Sequence, residues 1–424
     1  MNILIQVALR NVFRNRRRSL FTLSAIVVGL AVVLVITSVS NAFYRFSIEN
    51  AVNVKLGALQ VHKSGYMSNI SANPLSFHFD YSPDLLSKIE AVDGVKAASG
   101  RIIFRGLVSN GRNQALFFGN GVDVEREQKV CPRWLGTLTE GSQPLVASDN
   151  GQVMVGQELA RSLNVAPRGV SALLPDQVSP QAQPPGEFLN LSGASPQGRQ
   201  NAVDVQVKGL TRSLLPLEEK RAVTLPLSVS QSLLGLEGQV TEIAVAVQNL
   251  DDLSDVQERL QNVLGNQFEV SSWSDVQPFL RDVLFRQRVM IGIVSVILFI
   301  LVLFVIANTM TMAVFERTRE IGTMLSVGIK REQIRSIFLA ESVFVGFVGA
   351  LAGTTFGLLF VLILNRVGIP FGSEGYEQGM LFPFLGFGFC FISFFIAVLC
   401  AALAGIFPAY RASHMNPVDA LRAS

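Results

Sequence analysis

The residue types that carry most enzyme and metal chemistry are few and scattered in this chain of 424 residues. Its three histidines, His62, His78 and His414, stand too far apart for a recognisable metal motif, a Ser-His-Asp triad or a Cys-His pair. No G-x-x-x-x-G-K-S/T phosphate-binding loop occurs, so the chain is expected not to hydrolyse ATP in that way. We therefore predict no catalytic residue, no metal and no cofactor in this chain.

The most regular polar pattern lies between two long apolar stretches, at residues 315–335. Its spacing predicts a short helix with Ile321, Met324 and Leu325 along one stripe and a stop at Gly328. A merely solvated loop needs no such pattern. We therefore expect this segment to be a surface to which another molecule binds.

The composition, with 16% charged residues, is typical of a membrane protein that has a soluble part. Four segments have cores free of Asp, Glu, Lys and Arg for the roughly 20 residues that a helix needs to cross a bilayer. The topology is therefore one span, a large domain at 45–288, and three further spans, with a loop at 366–380 before the last. We predict these spans at 19–44, 289–314, 336–365 and 381–409.

Orientation follows from the basic residues near the span ends, because Lys and Arg are held back on the cytoplasmic side. The polar segments at 1–18, 315–335 and 410–424 together carry twelve basic and four acidic residues. Residues 45–288 carry 22 basic and 25 acidic residues, so this domain is nearly neutral. Both termini are therefore predicted inside and the large domain outside.

Two of the inner segments have helical patterns of their own. At 1–18 an apolar face lies beside an arginine face, which predicts an amphipathic helix in the membrane interface. Arginines that merely set the topology explain the same pattern equally well. At 410–424 a helix is predicted to restart, with Asn416 as N-cap and Pro417 at the first helical position. A second gripping surface is therefore expected there.

Both flanks of the large domain show a helix-like pattern followed by a strand-like one. They predict one α+β subdomain built from residues 45–114 and 236–288. The middle, 115–235, has short strand-like runs and predicts an inserted β-rich subdomain, with a mobile loop at 180–200 where no period survives. The predicted fold is thus an α-helical membrane domain of four helices plus an α+β outer domain.

The third span carries Gly346, Gly349, Gly353 and Gly357 on one helical face, and small residues allow helices to approach closely in lipid. Packing against spans two and four of the same chain and a seam between two copies are equally good interpretations. Glu341 lies just inside the membrane at the inner end of this span. Its position is costly enough to indicate a role, although its side chain could also reach the interface.

Two of these segments resemble the signatures of a known family. Residues 316–322, Glu-Arg-Thr-Arg-Glu-Ile-Gly, and residues 416–422, Asn-Pro-Val-Asp-Ala-Leu-Arg, are similar to those of the MacB/FtsX/LolCE-type ABC transporter permeases. In the outer domain, residues 57–66, 155–160 and 225–234 resemble the lipoprotein-release, LolC/LolE-like branch in particular. The resemblance therefore spans nearly the whole chain.

This resemblance implies a permease in a bacterial inner membrane, with a periplasmic large domain whose flanking part is porter-like. It implies a dimer with a second copy or a paralogue, and two cytoplasmic ATPase subunits of the LolD or MacB kind that bind ATP and Mg²⁺. Membrane lipids are expected around the spans, and no nucleic acid is expected as a partner. The residues that would couple to the ATPases are Glu316, Arg317, Arg319, Glu320, Ile321, Gly322, Met324, Leu325, Gly328, Asn416 and Pro417.

Three functions agree with this family. The first is mechanotransmission, in which the ATPases move the helices and the outer domains release lipoproteins or similar amphipathic cargo from the membrane. The second is MacB-like export of small amphiphiles or peptides from the periplasm, with a periplasmic adaptor or outer-membrane conduit. The third is FtsX-like regulation of a cell-wall hydrolase. The size of the outer domain and its lipoprotein-release-like segments favour the first, and fold alone does not choose.

Overall fold

The computed structural model describes residues 16–69, 73–167, 187–212, 219–371, 379–417 and 420. The chain divides into two compact units. The membrane unit comprises Met1–Arg45, Asp282–Phe371 and Met380–Ser424. The sheet unit comprises Phe46–Arg281 and Gly372–Gly379.

The helices are numbered in chain order, and four of them are far longer than the rest. They are α1 Arg16–Ala51, α2 Tyr66–Asn69, α3 Pro83–Glu90, α4 Val124–Val130, α5 Gln157–Leu163, α6 Leu227–Leu234, α7 Leu253–Leu264, α8 Trp273–Val276, α9 Pro278–Glu316, α10 Thr318–Ser326, α11 Arg331–Val367 and α12 Phe387–Ser413. A π-helical turn, Val52–Leu56, follows α1.

The strands are short except for β3 and β7. They are β1 Leu59–Lys63, β2 Phe79–Asp80, β3 Val95–Ser109, β4 Gln114–Val122, β5 Gln152–Gly156, β6 Phe188–Ala194, β7 Gln200–Thr211, β8 Ala222–Pro226, β9 Gln239–Val240, β10 Glu242–Val247, β11 Phe268–Ser272, β12 Ile369–Phe371 and β13 Gly379–Leu381.

The four long helices α1, α9, α11 and α12 are long and apolar enough to cross a membrane, as the sequence predicts. Their ends differ from the predicted spans. Helix α9 begins at Pro278 rather than 289, and α1 continues to Ala51 rather than 44. A search for apolar length finds the lipid-facing core, whereas backbone hydrogen bonding continues through the polar residues beside it.

The sheet unit holds a nine-stranded sheet in the order β11-β1-β10-β3-β4-β8-β5-β7-β6, and β6 pairs back onto β3. Strands β3, β4, β8, β5, β7 and β6 therefore close into a six-stranded barrel. The pairs β4–β8 and β5–β7 are parallel, and the other pairs of the barrel are antiparallel. Strands β11, β1, β10 and the beginning of β3 form an open antiparallel sheet.

The long strand β3 belongs to both parts. Its residues 95–101 pair with β10 in the open sheet, and its residues 101–109 pair with β4 in the barrel. Arg101 lies where the strand passes from one to the other. Because the two parts share this strand within one compact unit, the subdomain boundaries near 114 and 236 stay a prediction.

One prediction for this unit is wrong. Part of the segment 180–200, expected to be a mobile loop, is strand β6, which forms an antiparallel hairpin with β7. Along β6 the exposed Phe188 and Asn190 alternate with the buried Leu189 and Leu191. The alternation typical of a strand is therefore present, but it extends over only a few residues. Residues 180–186 and the predicted amphipathic segment up to residue 15 lie outside the described residues.

Both helix-strand patterns of the flanks are present in the structure. Helix α3 begins at Pro83 after a Ser82 side chain that accepts a hydrogen bond from the Leu85 N–H at 3.2 Å. Helix α7 contributes Val256 and Leu260 to the core. The two helices thus cover the open sheet with apolar side chains.

Side chains occupy the outer edge of β11. The Gln261 amide accepts from the Val270 N–H at 3.0 Å and donates to the Phe268 carbonyl at 2.9 Å. The Gln257 amide donates to the Val270 carbonyl at 2.8 Å. This edge of the open sheet is therefore hydrogen-bonded without a further strand.

The opposite edge of the open sheet, along the beginning of β3, is covered in the same way. A Glu90 carboxylate oxygen accepts from the Ala98 N–H at 3.3 Å. The Tyr81 hydroxyl accepts from the Gly100 N–H at 3.2 Å. The open sheet therefore has side-chain partners along both of its edges.

Candidate functional site

The charged connector forms helix α10 between α9 and α11, with a tight glycine-terminated end. The Ile329 N–H donates to the Met324 carbonyl at 3.0 Å, and the Gly328 N–H donates to the Leu325 carbonyl at 3.1 Å. These two bonds make a Schellman motif, and Gly328 has the positive φ of 94° that it requires. The predicted helix and its glycine stop are both present.

The apolar stripe of α10 faces its own chain. Ile321 is fully buried in the core of the membrane unit, and the half-buried Met324 and Leu325 pack against the same core. Gly322 is buried as well. The stripe therefore anchors α10 to the end of the helix bundle.

A buried ion pair joins the beginning of α10 to α11. The Arg317 Nη1 lies 3.0 Å from the Glu341 Oε2, and the two residues are 4% and 3% exposed. Glu341 is the acidic residue whose costly position the sequence indicates, but Arg317 is its partner only through the fold. Because both side chains are buried, loss of either one removes an opposite charge from beside the other.

The outward face of α10 carries charges of both signs and an apolar tip. Glu316, Arg319 and Glu320 are exposed, as is Gly328. Val327, between the helix and its glycine stop, is 79% exposed. Val327 is not among the predicted coupling residues, although an apolar residue just before a helix-ending glycine is a usable signal.

The predicted coupling residues therefore fall into two groups. Arg317, Ile321 and Gly322 are buried, so they support α10 within the chain rather than present their side chains outward. The exposed members are Glu316, Arg319, Glu320, Gly328 and Asn416, and the half-buried ones are Met324, Leu325 and Pro417.

The second predicted surface lies beside the first. After α12, the Ala420 N–H donates to the Asn416 carbonyl at 3.0 Å, which begins a helical turn at the predicted position. The Arg411 guanidinium lies 4.8 Å from the centre of the Phe315 ring at the end of α9. Met415 packs against the same core as Ile321. Both predicted surfaces thus meet at one end of the bundle.

The glycine face of α11 packs within the chain. A Cβ on Gly349 would meet Ile26 at 2.9 Å, and one on Gly353 would meet the Val27 Cα at 3.1 Å. Gly357 also lies against α1, whereas Gly346 lies against Ala401 of α12. The partners are spans one and four, so span one takes the place that the sequence interpretation gave to span two. Helical spacing identifies the face but not the helix that covers it.

A second cluster of buried charges lies in the sheet unit, around Arg101. Its guanidinium contacts the Glu127 carboxylate at 2.5 Å and Glu242 at 3.3 Å, and donates to the Leu56 carbonyl at 3.3 Å. The Cys131 thiol donates to the Val52 carbonyl at 3.3 Å. The cluster therefore ties β3, β10 and α4 to the π-helical turn that follows α1.

Burial sets the protonation of this cluster. Burial raises the pKa of the Cys131 thiol to about 12, although Arg101 lowers it, so the thiol keeps its proton. Burial also raises the pKa of Glu242, against the opposing effect of Arg101. Burial alone lowers the pKa of Arg101, but Glu127 together with Cys131 and Glu242 raises it above its ordinary value. Arg101 is therefore a permanent cation.

His62 on β1 is a buried, neutral histidine. Its ring stacks on Tyr66 at 4.2 Å between ring centres, and its Nε2 lies 3.2 Å from the Gln60 Oε1. Burial lowers the pKa of His62 to about 4. Among the residues that the structure describes, no three His, Cys, Asp or Glu side chains are grouped to hold a metal.

Two protein-family models match this chain. The chain matches the FtsX-like permease C-terminal family over residues 292–417. It also matches the MacB-like periplasmic core domain family over residues 19–263, which is 245 of its 424 residues. The first match covers most of α9 and all of α10 to α12, and the second covers most of α1 and most of the sheet unit.

Individual relatives include both a MacB protein and a LolC protein. The chain is 23% identical to the macrolide export ATP-binding/permease protein MacB of Campylobacter jejuni, over 98% of this chain and 60% of that protein. It is 28% identical to the lipoprotein-releasing system transmembrane protein LolC of Haemophilus influenzae, over 32% of this chain and 34% of LolC. Each match covers less than two thirds of the relative's own length.

One solved structure is similar to part of this chain. The crystal structure of the periplasmic region of MacB from Actinobacillus actinomycetemcomitans matches 55% of this chain and 94% of its own, with a TM-score of 0.35 and 9% identity. Because more than half of the chain matches one family, and four membrane helices accompany that match, the assignment follows. The chain belongs to the MacB/FtsX/LolCE-type permeases of ABC transporters.

Proposed function

We propose that this permease releases lipid-anchored proteins or similar amphipathic cargo from a bacterial inner membrane by mechanotransmission. Separate cytoplasmic ATPase subunits, which would bind the ATP and Mg²⁺, drive it, and a second copy or a paralogue completes the transporter. The observation that carries the proposal is helix α10, which is fastened to the bundle on one face and presents charges and Val327 on the other. A force that an ATPase subunit applies to α10 would therefore be transmitted to the membrane helices.

The fastening supports a stiff connection from α10 to the spans. Ile321 packs in the core of the bundle, and Arg317 pairs with Glu341 of α11. The glycine seam then brings α11 against α1 at Gly349 and Gly353. In lipid, such close backbone contact resists sliding because side chains do not separate the helices. A displacement of α10 is therefore expected to move α11 and α1 together.

The charge distribution supports the proposed orientation. The end of the bundle that carries α10 also carries Arg319, Lys330, Arg331 and Arg411, as the positive-inside tendency requires for a cytoplasmic end. The large domain then lies in the periplasm, where a cargo held by the outer leaflet is within reach.

The choice of cargo rests on the likeness to LolC. The segments that resemble the lipoprotein-release branch are 57–66, 155–160 and 225–234. They lie at β1, at the β5–α5 junction and at the β8–α6 junction of the sheet unit. Export of a small amphiphile is the second candidate, and the match to Campylobacter jejuni MacB over 98% of this chain favours it.

The coupling part of the proposal is tested at the outward face of α10. In Val327→Asp and Glu320→Lys, we expect co-purification of the ATPase subunit to fall by about tenfold or more, equivalent to ~1.4 kcal/mol. Membrane insertion should remain intact because neither side chain is part of the core. The matched control is Val367→Asp, at the other end of α11, which is similarly exposed at 69%.

Wild-type recovery of the ATPase with both variants would refute α10 as the coupling element. The cargo is tested separately by identifying what co-purifies with the wild-type transporter. A bound lipoprotein supports the first candidate, and an outer-membrane conduit supports the second. A cell-wall hydrolase would instead favour the FtsX-like regulatory role.

A further inference from the structure

The membrane unit contains a cleft of about 590 Å³ between α1, α9 and α12. One end is lined by Ser40, Asn41 and Arg288. Towards the other end the lining becomes apolar, for example at Leu303 and Ile396. The cleft is thus polar and cationic at one end and apolar along the rest of its length.

The cleft exists because α9 diverges from the other helices over half of its length. The buried residues of its membrane-crossing part are Val302, Ile306, Met310, Ala313 and Val314, all in the half that leads to α10. Between residues 289 and 301 the structure buries no side chain of α9. The bundle is therefore closed at the α10 end and open on this side at the end where α9 begins.

The dimensions match one leaflet of a bilayer. Arg288 and Leu303 are fifteen residues apart on α9, which is about 22 Å at 1.5 Å per residue. One leaflet with its headgroup region contributes about half of the ~40–45 Å total thickness. A ligand that fills the cleft therefore reaches from the headgroup region to near the bilayer centre.

The polar end has unmet bonding capacity. The Arg288 guanidinium lies 4.3 Å from the centre of the Tyr44 ring, and the described residues include no acidic partner for it. The Thr37 hydroxyl oxygen, which also lines the cleft, is buried and has no hydrogen-bond partner among the described residues. A ring-stacked guanidinium still has N–H donors for a phosphate oxygen.

We infer that this cleft binds an anionic glycerophospholipid, with its phosphodiester at Arg288 and an acyl chain lying along α9. The charge of Arg288 selects the anionic headgroup, and the hydroxyl and amide side chains of Ser40 and Asn41 suit the glycerol ester region. The apolar remainder takes the chain. The bound lipid closes the side of the bundle that the protein leaves open, and this site is independent of the cargo assigned above.

The test uses the purified full-length protein in nanodiscs of phosphatidylcholine that contain a minor fraction of phosphatidylglycerol. Native mass spectrometry after detergent release counts the retained lipids. Gly292 lines the cleft, and a Cβ there would meet no atom within 4 Å, so Gly292→Leu fills the cleft without a clash. Its matched control is Gly388→Leu on α12, which is equally unobstructed and does not line the cleft.

We expect the wild type to retain phosphatidylglycerol in preference to phosphatidylcholine. In Gly292→Leu the amount of retained phosphatidylglycerol should fall by about tenfold. Arg288→Gln should abolish the headgroup preference, because the cation is gone. Its matched control, Arg286→Gln, is an exposed arginine two residues earlier that does not line the cleft. Both controls should behave as the wild type.

Three results would overturn the inference. The first is lipid retention that is equal for both headgroups, which would mean adventitious lipid only. The second is a changed oligomeric state in Gly292→Leu with unchanged lipid retention, which would assign the cleft to a second copy. The third is displacement of phosphatidylglycerol by an equimolar triacylated lipopeptide, which would assign it to the cargo.

Discussion

Each unit of this permease buries one arginine against glutamate, and the two arrangements differ. In the membrane unit, Arg317 pairs with Glu341, between the connector and α11. In the sheet unit, Arg101 meets two carboxylates, those of Glu127 and Glu242, and a backbone carbonyl besides. Both sites hold a helix end or a turn against a neighbouring element.

The difference reflects which acceptors each surrounding can offer. Among membrane helices the backbone carbonyls are already bonded within each helix, so a buried cation depends on side-chain acceptors. Around Arg101, a π-helical turn leaves the Leu56 carbonyl available, β10 brings the Glu242 carboxylate and α4 brings the Glu127 carboxylate. A mixed α/β unit can therefore surround a buried arginine with carboxylates and a backbone carbonyl together.

The two sites are open to separate measurement in the intact protein. Both tryptophans, Trp134 and Trp273, lie buried in the sheet unit, so tryptophan fluorescence follows the unfolding of that unit. Far-ultraviolet circular dichroism is dominated by the four long helices.

The largest effect is expected from Arg101→Met. The substitution leaves Glu127 and Glu242 buried together without a cation, so the sheet unit should lose about 5 kcal/mol of unfolding free energy. Urea unfolding followed by tryptophan fluorescence measures it. Arg161→Met, which breaks the partly exposed pair with Glu158, serves as the control at less than about 1 kcal/mol. Equal losses in the two variants would mean that the buried network adds nothing.

A somewhat smaller effect is expected from Arg317→Met. It removes the cation beside the buried Glu341 carboxylate and should cost about 4 kcal/mol. Thermal unfolding at 222 nm measures it, with the exposed Arg319→Met as control. Combining Arg317→Met with Glu341→Met should restore most of the loss, because no charge then stays buried. A double variant as unstable as the single one would contradict the pairing.

The sheet unit should also respond to pH. Because burial holds the pKa of His62 near 4, the unfolded chain takes up a proton below pH 6.5 that the folded unit refuses. Stability is therefore full above pH 6.5 and falls as the pH drops towards 4, by up to about 3 kcal/mol. Urea titrations by tryptophan fluorescence at several pH values test this. His62→Gln should flatten the profile relative to the control His414→Gln, which changes an exposed histidine of the membrane unit, and identical slopes would exclude His62 as the source.

The smallest effect is expected at the end of the connector. Gly328 has φ near +94°, so Gly328→Ala should cost about 1 kcal/mol through backbone strain. Thermal unfolding at 222 nm, together with ATPase co-purification, measures it. Gly386→Ala is the matched control, because that glycine has φ near −71° and open space around it. Equal behaviour of the two variants would mean that the Schellman end tolerates a side chain.

Much of the membrane unit could be predicted from the sequence, and much less of the sheet unit. Apolar length identifies the spans, and the spacing around Gly328 identifies the connector helix, because both signals are local. Barrel closure depends on pairings such as Gly106 with Gly193, which local patterns do not encode. For the same reason Arg101 carries no signal in the sequence. Glu341 is recognisable because it interrupts an apolar span, whereas nothing local distinguishes the buried Arg317 from the exposed Arg319.

Side chains hydrogen-bond both edges of the open sheet, and this limits how the sheet unit can associate with other proteins. An unprotected edge strand is a template onto which other chains add strands and from which aggregates grow. Here the barrel has no edge of its own, while Gln257 and Gln261 on one side and Glu90 and Tyr81 on the other occupy the backbone groups that an added strand would need. Proteins that meet this unit are therefore expected to recognise side chains and loops, and unfolded chains passing nearby find no backbone ladder to extend.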